Sequence, residues 1–129
     1  MKEKCFVPLY ESVEFIKTLI DELWDWTAEE TDEEFRNKRE NIACVFRMMD
    51  RKMLNSINIV MAVGRDAWSL EKPFKNPEKE FEEYAEWLGL EENMSLGKES
   101  HIRYLIEKGP LKRYLKDGMY FLGVGPKRT

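Results

Sequence analysis

Carboxylates at helical spacing are the first residues in this chain that could do chemistry. Glu11-x-x-Glu14 and Glu22-x-x-Asp25 stand in one N-terminal stretch, and acids three apart share a helix face. Carboxylate oxygens hold magnesium only where several of them converge on one ion. Here both pairs belong to a single predicted helix, about three turns apart, too far to close on one metal. Glu80, Glu83 and Glu86 on another helix are the residues that could supply the missing half. A solvated acidic face is the plainer reading.

Nucleophilic chemistry has less to build on. His101 is the single histidine, and Ser100 is its neighbour in sequence, so the two side chains leave a helix in different directions. Cys44 sits in an apolar stretch, where a thiolate is disfavoured. Cys5 and Cys44 are isolated, with no CxxC. A structural zinc needs about four thiolate or imidazole ligands, so no metal or other cofactor is expected, and two reduced thiols in a cytosolic protein fit the pattern. The GVGP segment near the C-terminus lacks the Lys-Ser/Thr of a phosphate loop and precedes no helix. No catalytic residue is assigned.

Binding chemistry has better candidates. Gly64-Arg65-Asp66-Ala67-Trp68 follows directly from an apolar segment, so Arg65, Asp66 and Trp68 are expected to be held firmly. Gly64 either ends that helix or lets another backbone approach closely. The plainer alternative has Arg65 paired with an acid of the first or fourth helix and Trp68 plugging the end of the bundle. Further on, Arg103, Lys112, Arg113 and Lys116 alternate with Tyr104, Tyr114 and Tyr120. Cations interleaved with rings suit phosphates and stacked bases. Lys112 and Lys116 are also well placed simply as cations near a helix C-terminus.

The charge is divided in the same sense. Residues 98–129 hold eight Lys or Arg against three acids, and the remaining residues thirteen against twenty-two, within a net charge of −4. Such polarity bears on partners, not on fold. At 129 residues the chain is expected to form a single domain, large enough to fold without a metal or disulfide. Its complement of large apolar and aromatic residues argues against disorder. No run approaches the ~20 apolar residues needed to cross a bilayer, and the N-terminus does not have the form of a signal peptide. A soluble, cytoplasmic protein without membrane contact is expected.

The elements that must position these residues are helical. Met53 to Trp68 is apolar nearly all round in its middle, which suits a central helix wrapped by others. A buried strand over Ile57 to Val63 is the rival reading, giving an α+β fold with a small sheet. Leu9 to Trp26 is amphipathic, with Val13, Ile16, Ile20, Leu23 and Thr27 on its stripe and Phe15, Leu19 and Trp26 widening it. Thr31 and Glu34 form a capping box for a helix from Asp32 to about Arg51. Asn55-Ser56 either caps a fresh helix or lies within a long one.

Two prolines in Leu70 to Pro77 make a loop, after which Asn76 caps and Pro77 opens a helix that stops at Gly89. Lys98 to Lys108 and Leu111 to Asp117 follow, meeting at the Gly109-Pro110 corner, with Gly118 as a left-handed terminator. The tail packs back as far as Val124 and frays over residues 125–129. The fold class is therefore all-α, a compact bundle of five to six helices.

Two resemblances bear on this reading. The second half resembles a small bacterial family of unknown function through Gly64-Arg65, Tyr104-Leu105, Pro110-Leu111, Tyr114-Leu115, Gly118 and Gly123. That likeness covers roughly residues 54–123 and implies a helical fold but no activity. The ExxE and ExxD pairs are similar to those with which MazG-type all-α nucleotide pyrophosphohydrolases hold magnesium, though in that family the pairs come from two facing helices.

Taken together the residues point to a non-enzymatic protein-protein interaction module. Its expected surface joins the Arg65 to Trp68 turn with the basic corner carrying Arg103, Tyr104, Lys112, Arg113, Lys116 and Tyr120. Tryptophan and arginine are favoured anchors in such contacts. The partner is another protein or a second copy, and an inhibitor of phage or defence origin or a small subunit of an assembly would both fit. Nucleic-acid binding by the basic C-terminal third is the first alternative, and a magnesium-dependent nucleotide pyrophosphohydrolase the second.

Overall fold

A computed structural model describes residues 4–23, 31–92, 97–107 and 111–126. Among the described residues there are six α-helices and no strand: α1 (Leu9–Glu22), α2 (Asp32–Arg47), α3 (Arg51–Arg65), α4 (Pro77–Trp87), α5 (Lys98–Ile106) and α6 (Leu111–Phe121), with a 3-10 turn at Asp66–Ser69 directly after α3. The all-α reading holds, and the small-sheet alternative falls because Ile57 to Val63 lie inside α3.

Every residue from Leu54 to Gly64 is buried. The core gathers around this rod, and α6 makes the most extensive contact with it, while α4, α5 and α1 pack on its other sides and α2 lies chiefly on α5. A helix buried on all faces needs apolar residues all round, which is what its sequence offers.

The closest approach is between α3 and α6. A Cβ added at Gly64 would sit 1.7 Å from the Tyr114 carbonyl oxygen, and one at Gly118 2.1 Å from that of Val60. Each glycine thus meets the backbone four residues before the other's glycine, and the two helices run antiparallel. Gly118 is therefore buried inside α6, correcting its expected role as a terminator. The positive φ falls instead at Gly123 (74°). There the Gly123 and Val124 amides donate to the Tyr120 and Met119 carbonyls at 3.0 and 2.9 Å, the paired closure of a Schellman end. Gly89 (φ 64°) closes α4 in the same way. Gly125 still lies against Met119, and residues 127–129 fall outside the described residues.

Other boundaries moved for local reasons. α1 ends at Glu22, with Leu23 extended as its C-cap, so the helix does not reach Trp26. Trp24, Trp26 and Thr27 lie outside the described residues. Phe15 is exposed, because it falls beside the stripe defined by Ile16, Leu19 and Ile20 and not on it. α2 stops at Arg47, where Lys98 Nζ donates to the Arg47 carbonyl at 2.8 Å and also to that of Met49. Asp50 then caps α3, its carboxylate accepting from the Lys52 amide at 2.8 Å. The expected caps Thr31 and Asn76 accept from Glu34 and Lys79 amides at 3.1 and 3.4 Å.

Asn55 and Ser56 lie within α3 and cap nothing. They hold the N-terminal segment: Asn55 Nδ2 donates to the Cys5 carbonyl at 2.6 Å, and the Val7 amide donates to Ser56 Oγ at 2.8 Å. The Ser56 hydroxyl in turn lies 2.7 Å from the Val7 carbonyl and 3.1 Å from that of Lys52. A polar pair inside an apolar helix is tolerated because it replaces the sheet that an extended strap would otherwise need. Ser56→Ala is expected to destabilise the protein by about 1–2 kcal/mol, the cost of stranding part of that strap's backbone; urea unfolding measures it.

Candidate functional site

The end of α3 sets the geometry of the candidate surface. Ala67 is buried and Ser69 Oγ donates to the Asp66 carbonyl at 2.8 Å, so the 3-10 turn is tied to the core and closed on itself. Arg65 Nε stands 3.5 Å from Asp66 Oδ1, and its Nη1 donates to Tyr104 Oη at 3.4 Å. Asp66 Oδ2 accepts from the Tyr84 hydroxyl at 3.1 Å. Burial, then the charge and hydrogen bond of Asp66, push the Tyr84 hydroxyl up to about 12, so it stays a donor at any ordinary pH. Arg65 therefore pairs with its own neighbour and not with an acid of α1 or α4.

Trp68 does not plug the bundle. It is 86 % exposed, on a turn whose flanks are fixed. Trp87, 69 % exposed, meets Tyr84 edge-on at 6.1 Å between ring centroids. Exposed aromatics thus radiate from one Arg65-Asp66-Tyr84 network, with Tyr104 on its other side. Two clefts border it, and a third lies between α3 and α5. One of about 440 Å³ runs between the turn and α6, bordered by Arg65, Trp68, Arg113 and the buried Asp117. Another of about 350 Å³ is acidic, with Asp66, Glu80 and Glu83 around Trp87.

The expected residues divide between these surroundings. Arg65, Trp68 and Arg113 share the first cleft. Lys112, Lys116 and Tyr120 recur every four residues on α6 and so share a face, with Lys116 exposed and Tyr120 half-buried against Phe121. The Arg113 guanidinium lies over the Tyr114 ring, 5.7 Å from its centroid. Arg103 stands apart from them: it reaches Glu40 at 3.6 Å and Glu99 at 3.7 Å, within the charged seam that joins α2 to α5. Arg47 completes that seam, with Nη2 2.6 Å from Glu99 Oε1. The Gly109-Pro110 corner lies outside the described residues.

The acids give a different picture. Glu11, Glu14 and Glu22 are exposed on α1, and Asp25 lies outside the described residues. Among the described residues no three His, Cys, Asp or Glu side chains gather closely enough to share an ion. No helix among them is long and apolar enough to cross a membrane.

The third cleft, of about 340 Å³, was not anticipated. Arg51, Asn55 and Asn58 line one wall of it from α3, and Ser100, His101 and Tyr104 another from α5. Ser100 and His101 thus border the same space, though no hydrogen bond joins them among the described residues. The signal was present in the spacing: Arg51, Asn55 and Asn58 fall four and three residues apart, one polar stripe on an otherwise greasy rod.

No protein-family model, curated protein or solved structure matches this chain.

Proposed function

We propose that this protein is a protein-interaction module working through the surface centred on the Asp66–Ser69 turn, and that the partner it fits is a second copy of itself. The observation that carries this is Trp68: a large ring 86 % exposed on a turn that is anchored on both sides. An indole carried on a fixed turn needs no further ordering of the backbone when a partner buries it. Charge supports the choice of partner. Arg65 and Arg113 border the cleft at Trp68, and Asp66, Glu80 and Glu83 border the neighbouring cleft at Trp87. Two such surfaces turned by a two-fold axis set each basic lobe against the partner's acidic one. An inhibitor or a small subunit would employ the same surface on a different protein.

A photo-crosslinking amino acid in place of Trp68 tests this, with Met48, 90 % exposed on the α2 end, as the control position. The expected result is a dimer adduct at position 68 only, with sedimentation showing a dimer that Trp68→Ala weakens by at least about tenfold. A strictly monomeric protein with no adduct above the control overturns the reading. Steeply salt-dependent RNA or DNA binding, lost on Lys112→Glu with Arg113→Glu, would assign the basic α6 face to nucleic acid in its place.

A further inference from the structure

The cleft between α3 and α5 contains polar atoms that the fold itself does not use. Asn58 is 6 % exposed and its Oδ1 has no hydrogen-bond partner, and neither ring nitrogen of His101 has one, among the described residues. Buried polar atoms left without partners cost about 1–3 kcal/mol each, and native proteins leave few of them. Their gathering in one open cleft calls for a ligand. We propose that this cleft binds a small planar lactam carrying an anionic group, in the manner of a nucleoside monophosphate with a uracil-type base.

The complement follows from the donors and acceptors. Asn58 Oδ1 accepts. Burial, reinforced by the Arg51 charge, pushes the imidazole down to about 4, so His101 is neutral and offers one donor and one acceptor. A lactam edge, with N–H beside C=O, answers Asn58 with its donor and the imidazole N–H with its carbonyl. Leu88 and Leu90 supply apolar contact for a flat ring, and Tyr104 lines the α5 wall with His101. Arg51 places positive charge in the same cleft, where an anionic substituent is favoured. At about 340 Å³ the space lies at the small end of ligand pockets, which suits one nucleotide and not a strand.

His101 is the chain's single histidine, so its imidazole NMR signals report this cleft alone. Titration of the whole protein with uridine 5′-monophosphate is expected to move them saturably, at least tenfold more tightly than cytidine 5′-monophosphate, whose ring lacks the N–H. Uridine without phosphate should bind more weakly. Asn58→Leu should abolish the response while leaving the protein folded, with a melting temperature unchanged or raised because a side chain with an unsatisfied amide oxygen has been replaced by one of similar shape that is apolar. The proposal is overturned by no saturable shift up to millimolar nucleotide, by equal response to inorganic phosphate alone, or by undiminished binding in the Asn58→Leu protein. Neither this result nor its failure depends on self-association, which the crosslink at position 68 reads separately.

Discussion

Gly64→Ala and Gly118→Ala are each expected to destabilise the protein by about 3 kcal/mol or more, seen as a lowered urea midpoint. The direction is opposite to the usual one. In an exposed helix, replacing glycine by alanine gains about 1 kcal/mol from propensity. Here the added methyl at either position would meet a carbonyl oxygen at 1.7 or 2.1 Å, well inside contact distance. Those oxygens belong to helix backbone and cannot swing aside like a side-chain end. α3 and α6 must separate along their length, loosening Leu115, Met119 and Val60 together. Both sites act on one interface, so the double variant should fall short of the sum. Gly97→Ala is the control, since nothing lies within 4 Å of the new methyl, and its cost should stay within about 1 kcal/mol of zero. Equal effects at all three positions would refute the close-packed pair.

The second large effect is a loss of stability in acid that one residue carries. His101 is held down to about 4 from an ordinary value of 6.5, by burial first and the Arg51 charge second. A base whose folded value is depressed binds its proton more readily when unfolded. Its contribution is therefore complete above pH 6.5 and drains away as pH falls towards 4. The full linkage would be about 3 kcal/mol, and solvent at the mouth of the cleft reduces this to about 1–2 kcal/mol. Arg51 and Tyr104 are the other charged or titratable side chains on the cleft walls. Carboxylates elsewhere also titrate there, so the measure is a difference: unfolding free energy at pH 7 and pH 4 in the native chain and in His101→Gln. A smaller acid loss in the variant is expected. An identical loss in both would remove the buried, neutral imidazole.

Both predictions concern residues whose types were plain and whose surroundings were not. Gly118 followed an apparent short helix, where glycine commonly terminates. Only the approach of Val60 from a segment nearly sixty positions earlier makes it an interior residue. Asp50 was an ordinary helix cap hidden by the expectation that α2 continued. Trp68 had two readings, a plug at the end of the bundle or a binding anchor, and a 3-10 turn leaves it outward while Ala67 takes the buried place. Arg103 read as part of a basic surface, and the acids of α2 and α5 claim it.

What the sequence determined by itself was the helical class, the central rod, the caps at Thr31 and Asn76 and the stop at Gly89. Each rests on periodicity or on a hydrogen bond within a few residues. The tertiary structure alone decided which glycines are contacts and which are terminators, which cations are already paired, and that Asn58 and His101 face one space. Those are properties of pairs brought together across the chain, and no local pattern encodes the distance between them.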